Sequence, residues 1–431
     1  MKYFKLLLIA VLTLSLLLCS CNETPDEEEL FGTDVTAKKT QQTTAVTVPE
    51  EEKDIPTDLT ATLETNNEVL SRLTLKPVVT EIGNTGVDIE LTYQAWPTIC
   101  RGEGSTLYAA SSLRRSHIDP FAATAFYVSH DNGETWSDAR IINNSPVDDR
   151  DTGIVYIGNG KMLVSFFTIG AADFRMGGQY EDQWGGCTPE QKNAKLKEWN
   201  TYTNSELALF NGSFVLVSDD YGETWSDPIK VPVSCPHGPS LMQDGRTLIF
   251  PGVSTTKLFF YISRDFGRTW SQYSTVAMPQ FDGLEGYWEP HVIQLSNGSF
   301  VAGIRTQLKD HGLGILTATS EDGKNWTTPK LEKSIVGAPP HFLELDNGVV
   351  VLTYSDRVNP EIGARARLSY DHGKTWTEED INLSVHTSTR NFDQSYPSSI
   401  QLDDGSIITI YYQAYGDDPN ASVLYTKWRL E

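Results

Sequence analysis

The stretch Ser129-His130-Asp131-Asn132-Gly133-Glu134-Thr135-Trp136, SHDNGETW, returns four more times along the chain. The later copies read SDDYGETW at 218–225, SRDFGRTW at 263–270, the shorter SEDGKNW at 320–326 and SYDHGKTW at 369–376. In each, a strand ends in Ser, Asp and Gly close a tight turn, and Thr or Asn followed by Trp opens the return strand. Each copy therefore reads as a β-hairpin with a Trp anchor. Trp-to-Trp steps of 89, 45, 56 and 50 residues point to a repeat of about 50 residues per unit.

A second signal interleaves with the first: an apolar run, a Gly-containing turn, and a new strand. It occurs as Gly102-Glu103-Gly104-Ser105, Gly158-Asn159-Gly160-Lys161, Gln243-Asp244-Gly245-Arg246, Ser296-Asn297-Gly298-Ser299, Asp346-Asn347-Gly348-Val349 and Asp403-Asp404-Gly405-Ser406. The first five turns each precede one of the Trp hairpins. Two turns per unit imply four strands, and six such units arranged radially make an all-β, six-bladed β-propeller. A β-sandwich is the main competitor, and regular blade spacing disfavours it. The strand at residues 87–93 is expected to close the ring against the C-terminal strands at 407–412 and 423–428.

With 431 residues, 39% of them hydrophobic, the chain can bury a large core, and the repeats assign the bulk of it to one domain, residues 67–431. Lys+Arg 34 against Asp+Glu 57 leaves a net charge of -23, which repels nucleic acid and anionic membranes. Neither partner is expected. The five cysteines are too scattered for a disulfide framework, and Cys100, Cys187 and Cys235 could hold at most one bridge. No Cys/His spacing suggests zinc, so no metal or cofactor is expected.

Residues 1–20 carry Lys2 and Lys5 ahead of a nearly unbroken apolar run, the pattern of a signal peptide rather than a spanning helix. The run ends in Leu18-Cys19-Ser20-Cys21, which resembles a bacterial lipobox with Cys21 as the lipidated residue. Lipidation implies a membrane anchor without a spanning segment, at the outer membrane or cell surface. Residues 21–66 are rich in Thr, Glu and Pro and read as a disordered acidic tether. The long first step between hairpins contains an insertion at about 171–207. There Thr188-Pro189-Glu190-Gln191 combines an N-cap Thr, Pro at the first helical position and Gln three residues on, which predicts a helix to about 201. Insertions in repeat folds lie on the binding face, so this one is a candidate pocket wall.

The propeller with repeated SxDxGxTW hairpins resembles the sialidase (neuraminidase) superfamily, whose repeats are called Asp-boxes. The likeness covers about residues 77–429. It implies that the boxes are peripheral scaffold and that function lies in the axial pocket. Sialidases are retaining exo-glycosidases in which a Tyr nucleophile is activated by a Glu, an Asp serves as acid/base, and three arginines clamp the substrate carboxylate. An anionic substrate would repel a carboxylate nucleophile, whereas a neutral Tyr polarised by Glu would not. The planar fork of Arg meets a carboxylate bidentately.

Carried over residue by residue, the resemblance makes Glu289, in Tyr287-Trp288-Glu289-Pro290, the activating Glu, and Arg305, after Ile304, a clamp arginine. Asp119, in a first-blade loop after Arg114-Arg115, takes the acid/base position. Tyr396, in Ser395-Tyr396-Pro397, takes that of the nucleophile, although the family does not usually place Pro after it. Arg365 or Arg367 is the candidate third clamp residue. The family's first-blade Arg-Ile-Pro is here Ala95-Trp96-Pro97, so one clamp arginine is missing. One lost charge-assisted contact costs about 1.5–3 kcal/mol; Arg101, Arg114 or Arg115 could compensate. His237 and the cluster Asp149-Arg150-Asp151 precede blade turns and are candidate sugar contacts, and Trp184 and Trp288 candidate stacking platforms. The expected activity is removal of terminal sugars from glycans, with sialic acid as the candidate sugar. The alternatives are a related glycosidase for another sugar, using Asp119 and Glu289 as a plain carboxylate pair, and a non-catalytic glycan-binding lipoprotein.

Overall fold

In the computed structural model, the described residues are 55–57, 59–64, 71–72, 78–358, 362–384, 394–414 and 420–431. Cys21, the leader and most of the acidic stretch lie outside them. Six antiparallel sheets follow one another along the chain, five of them taking four consecutive strands in simple meander order and the sixth adding a strand from the start of the chain. Blade one runs through Tyr93–Arg101, Leu107–Arg114, Ala123–Ser129 and Arg140–Asn143, and blade two through Asp148–Gly158, Lys161–Ile169, Ser213–Ser218 and Ile229–Val231. Blade three begins at Ser240–Leu241, blade four at Leu284–Gln294, blade five at His341–Glu344 and blade six at Ser395–Gln401. The first strand of every blade packs against the first strands of its two neighbours, and that of blade six returns to that of blade one. This closed ring is the six-bladed propeller that the two interleaved repeats predict.

The Asp-boxes join the third strand of a blade to its fourth and are built alike. In the first, Ser129 Oγ donates to Asp131 Oδ1 at 2.8 Å, Thr135 Oγ1 donates to Asp131 Oδ2 at 2.5 Å, and Trp136 Nε1 donates to the Gly133 carbonyl at 3.1 Å. The same three bonds recur from Ser218, Ser263 and Ser369 onward wherever the eight-residue form occurs, Trp376 apart, for which only the first two are seen. The fourth box is one residue shorter because Gly323 (φ 69°) alone makes the left-handed step that elsewhere takes two residues, such as Phe266 and Gly267 (φ 61° and 88°). Each box also leans on the preceding blade. Trp225 lies 5.4 Å edge-on to Phe126, and a Cβ on Gly267 would sit 2.1 Å from Leu163 Cδ1. The boxes are interblade latches as well as turns, which is why their Gly and Trp recur.

Two expectations about the chain's start are corrected. The segment at 87–93 does not close the ring: Asp88–Leu91 pairs with Val78–Glu81 in a separate two-stranded hairpin. Its alternation of exposed and buried residues gives it one apolar face, which Ile89 and Ile82 bury in the cluster that holds Trp199 of the insertion helix. Closure comes instead from within the stretch read as tether. Ala61–Leu63 adds the fourth strand to blade six, in register with Leu430, Arg429 and Trp428, and Ser71–Arg72 pairs with the same C-terminal strand.

The insertion is partly helical, as expected. Its main helix spans Pro189–Trp199, with Thr188 and Gln191 forming a reciprocal capping box, flanked by short helices at Ala171–Phe174 and Asn204–Leu209. Cys100, Cys187 and Cys235 are all free thiols.

Candidate active site

The first strand of a blade would ordinarily alternate its side chains between the two faces of the sheet. In blades one, two, four and six a β-bulge breaks that alternation near the axis, between Ala95 and Thr98, opposite Ser165–Phe167, between Trp288 and His291, and between Ser395 and Ser398. A residue at each bulge takes the left-handed conformation: Trp96 (φ 51°), Asp151 (φ 49°), Glu289 (φ 51°) and Tyr396 (φ 49°). For non-glycine residues this costs of order 1 kcal/mol or more each, and such strain concentrates where side chains must be aimed at a site. At three of the four bulges the left-handed residue is followed by Pro, in Trp96-Pro97, Glu289-Pro290 and Tyr396-Pro397. Pro there donates no ladder hydrogen bond, which the bulge leaves unmade in any case. The Pro after Tyr396 is thus part of a recurring device.

Tyr396 and Glu289 meet. The Tyr396 hydroxyl donates to Glu289 Oε1 at 2.6 Å, and Arg305 Nη1 donates to both carboxylate oxygens, at 2.8 and 2.9 Å, and to the Tyr396 oxygen at 3.2 Å. Arg305 stands opposite Trp288 on the second strand of blade four. Burial pushes the Tyr396 phenol well above its ordinary range, and the Glu289 charge adds to this while Arg305 and Arg357 oppose it. The group is therefore a neutral phenol hydrogen-bonded to a carboxylate. Sequence reasoning missed Arg357, whose guanidinium lies 5.0 Å over the Tyr396 ring and donates to the Gln394 carbonyl at 2.8 Å. Its signal was positional: it follows the second strand of blade five, the strand equivalent to the one that carries Arg305 in blade four.

Beside this group opens a cavity of ≈ 220 Å³ lined by Asp151, Phe167, residues 234–236, Val253 and residues 287–290. Drug-sized pockets span roughly 300–1,000 Å³, so this one suits a single ring. Trp288, 41% exposed and 5.6 Å from the Arg305 guanidinium, supplies an open aromatic face. Among the described residues a depression of ≈ 430 Å³ lies between the Val78–Glu81 hairpin and the insertion, and one of ≈ 500 Å³ lies over residues 116–118 and 182–187. Neither includes Tyr396, Glu289 or Arg305.

Several expected site residues lie elsewhere. Asp119 is fully buried, and its carboxylate accepts from Arg115 Nη2 at 2.7 Å, Arg115 N at 2.7 Å and Phe121 N at 3.2 Å. Arg115 in turn donates to the Trp184 carbonyl at 2.9 Å, so Asp119 pins the first-blade loop to the insertion, and among the described residues its carboxylate partners are Arg115 and Phe121. The insertion contributes nothing to the lining of the Glu289 cavity, and Trp184 is buried. Arg114 and Arg150 are buried ligands of Asp148. Their guanidinium groups both lie against the Trp96 ring, at 4.4 and 4.5 Å from its centre. Arg101 pairs with Asp403 at the opposite end of its strand. Arg365 and Arg367 sit on the third strand of blade five, Arg365 donating to the Ser384 carbonyl at 2.6 Å and Arg367 pairing with Asp380. His237 is buried at the axis, its ring 4.9 Å from His341 and 5.6 Å from His291. Among the described residues no group of three or more His, Cys, Asp or Glu is placed to hold a metal ion.

A family model described as BNR repeat-like domain matches residues 192–410, just over half of the chain, and one for the BNR/Asp-box repeat matches residues 127–138. The chain belongs to the BNR repeat-like domain family, and its propeller is of the sialidase-like type. A search of curated proteins gave no match. Among solved structures, a protein of unknown function from Dyadobacter fermentans superposes with a TM-score of 0.60 at 20% identity, covering 84% of this chain and 99% of that one. The NanB sialidase from Streptococcus pneumoniae gives a TM-score of 0.58 at 14% identity over 82% of this chain and 70% of the enzyme. The Trypanosoma rangeli sialidase gives 0.52 at 15% identity, over 85% of this chain and 59% of the enzyme. At these identities the likeness is one of fold.

Proposed function

We propose that this protein is an exo-acting, retaining glycoside hydrolase of the sialidase-like class that removes a terminal sugar from glycans. The observation that carries the reading is the contact of Tyr396 with Glu289 and Arg305. In it Glu289 takes the phenolic proton as the Tyr396 oxygen attacks the anomeric carbon, and Arg305 supports the charge that develops on both. A neutral nucleophile of this kind is suited to a sugar that bears its own carboxylate. Arg305 at the Tyr396 hydroxyl and Arg357 over its ring supply the cationic side of the site. Ala95-Trp96-Pro97 in place of an arginine-bearing turn favours a sugar other than sialic acid as a second reading, since the nearest guanidinium groups, those of Arg114 and Arg150, are committed to Asp148.

The test is release of free sugar from a panel of terminal α-sialosides, uronic and neutral exo-substrates. Release from sialosides supports the first reading and release from another terminal sugar alone supports the second. No release from any member removes the glycosidase reading.

The sequence of residues 1–21 supports a lipid anchor at Cys21 and a place at the outer membrane or cell surface. No helix among the described residues is long and apolar enough to cross a membrane. Substituting Cys21→Ser should move the protein from the membrane fraction to the soluble one. An unchanged distribution would remove the anchor.

A further inference from the structure

A double displacement at Tyr396 needs a second proton-carrying group, one that protonates the leaving oxygen and later activates water. Four aspartates lie in the region where blades one and two approach the site: Asp119, Asp148, Asp149 and Asp151. Three of them are saturated. Asp119 is held by Arg115, Asp148 by Arg114 and Arg150, and Asp149 by Asn143 Nδ2 at 2.7 Å, Ser145 N at 3.1 Å and Ser145 Oγ at 2.5 Å. Asp151 alone has no hydrogen bond to its carboxyl group among the described residues, and it alone lines the cavity with Glu289. It sits at a bulge, with φ 49° against 51° for Glu289 and 49° for Tyr396, so the same backbone device delivers all three.

We propose, resting on the glycosidase reading above, that Asp151 of blade two is the acid/base residue of this site and that Asp119 is not. In the first step the Tyr396 oxygen bonds to the anomeric carbon while the phenolic proton passes to Glu289. The bond from that carbon to the glycosidic oxygen breaks, and Asp151 gives its proton to that oxygen. In the second step water attacks the anomeric carbon, Asp151 takes a proton from the water, and Tyr396 leaves with its proton returned from Glu289. Glycoside and water become sugar and alcohol, and no further reactant is needed.

The surroundings of Asp151 agree with this role. Its pKa is raised to about 7: burial is the largest influence, the charges of Arg150 and Arg114 oppose it, and those of Glu289 and Asp148 add to it. Near neutral pH the group therefore passes between acid and carboxylate, as one residue serving both steps must.

The experiment compares wild type, Asp151→Asn and Asp119→Asn in the full chain, on one sugar carried by two leaving groups, an activated phenol and an ordinary alcohol. The sugar is whichever the panel above identifies. Asp151→Asn should lose on the order of 10²–10⁴-fold on the alcohol. It should lose far less in the first step on the phenol, which departs without protonation, and added azide should restore turnover there by replacing the water that Asp151 activates. The basic limb of the wild-type pH–rate profile should vanish. Any loss in Asp119→Asn should be equal for both leaving groups. An equal loss for both in Asp151→Asn, or a leaving-group dependence in Asp119→Asn, overturns the assignment while the glycosidase reading stands. A wild type inert on every substrate overturns both. Thermal unfolding of Asp151→Asn, a nearly isosteric change, separates misfolding from lost chemistry. If it misfolds, Asp151→Glu takes its place with the same two leaving groups.

Discussion

Tyr396→Phe should lower kcat by about 10³-fold or more, equivalent to roughly 4 kcal/mol of barrier, with KM changed little. Only the hydroxyl is removed, and with it the atom that attacks the sugar. The fold should survive, because the ring keeps its contacts with Trp96 and Tyr412, at 6.3 and 5.9 Å, and Glu289 keeps both bonds from Arg305. Glu289→Gln should behave differently. It too loses the proton acceptor and with it the activity, but it also leaves Arg305 partly buried without its counter-charge. Removing one partner of a buried pair costs about 3–5 kcal/mol, and the 23% side-chain exposure of Arg305 places this case toward or below the lower end. The pair of variants thus separates chemistry from scaffold: equal loss of rate, unequal loss of melting temperature. Wild-type turnover in Tyr396→Phe would exclude the Tyr nucleophile and leave a mechanism carried by carboxylates alone.

The parts of this site that are legible in the sequence are those fixed by local order. Glu289, the Gly298 turn and Arg305 belong to consecutive strands of one blade, and Tyr396 enters the last blade ahead of its Gly405 turn, so the resemblance could be carried onto them by strand order. The unread parts depend on contacts distant in the chain. Asp119 follows an arginine in the expected loop, but Arg115 bridges it to the Trp184 carbonyl of the insertion arriving from blade two, which makes the aspartate a structural partner. Asp149-Arg150-Asp151 reads as one cluster of sugar contacts. The bulge opposite Ser165–Phe167 splits it, sending Asp149 to the Ser145 turn, Arg150 to Trp96 and Asp151 to the cavity. A one-residue bulge reverses which face a side chain occupies, and the pattern of apolar residues does not record it.

A chain starting at residue 66 should be far less stable than one starting at residue 53. Ala61–Leu63 is only three residues long and sits in a stretch rich in Thr and Glu, yet it supplies the fourth strand of blade six. Thr60 and Glu431 exchange two backbone hydrogen bonds, at 2.7 and 2.9 Å, and Glu64 N donates to the Lys427 carbonyl at 2.8 Å. Ile55, Leu59 and Ala61 pack on the cluster that joins blades five and six. Half-burying two large aliphatic side chains is worth roughly 1–1.5 kcal/mol each, and each net hydrogen bond about 1 kcal/mol. The lost contribution is therefore about 5–6 kcal/mol, a large share of the roughly 5–15 kcal/mol that holds a typical domain together. The loss also exposes the edge of the Ala421–Leu430 strand, a template for pairing with another chain. Denaturant unfolding should show a much lower midpoint for the shorter chain, and light scattering should show association that the longer chain lacks. Equal midpoints would mean that blade six is complete with three strands and that the segment before residue 66 is the spacer its composition suggests.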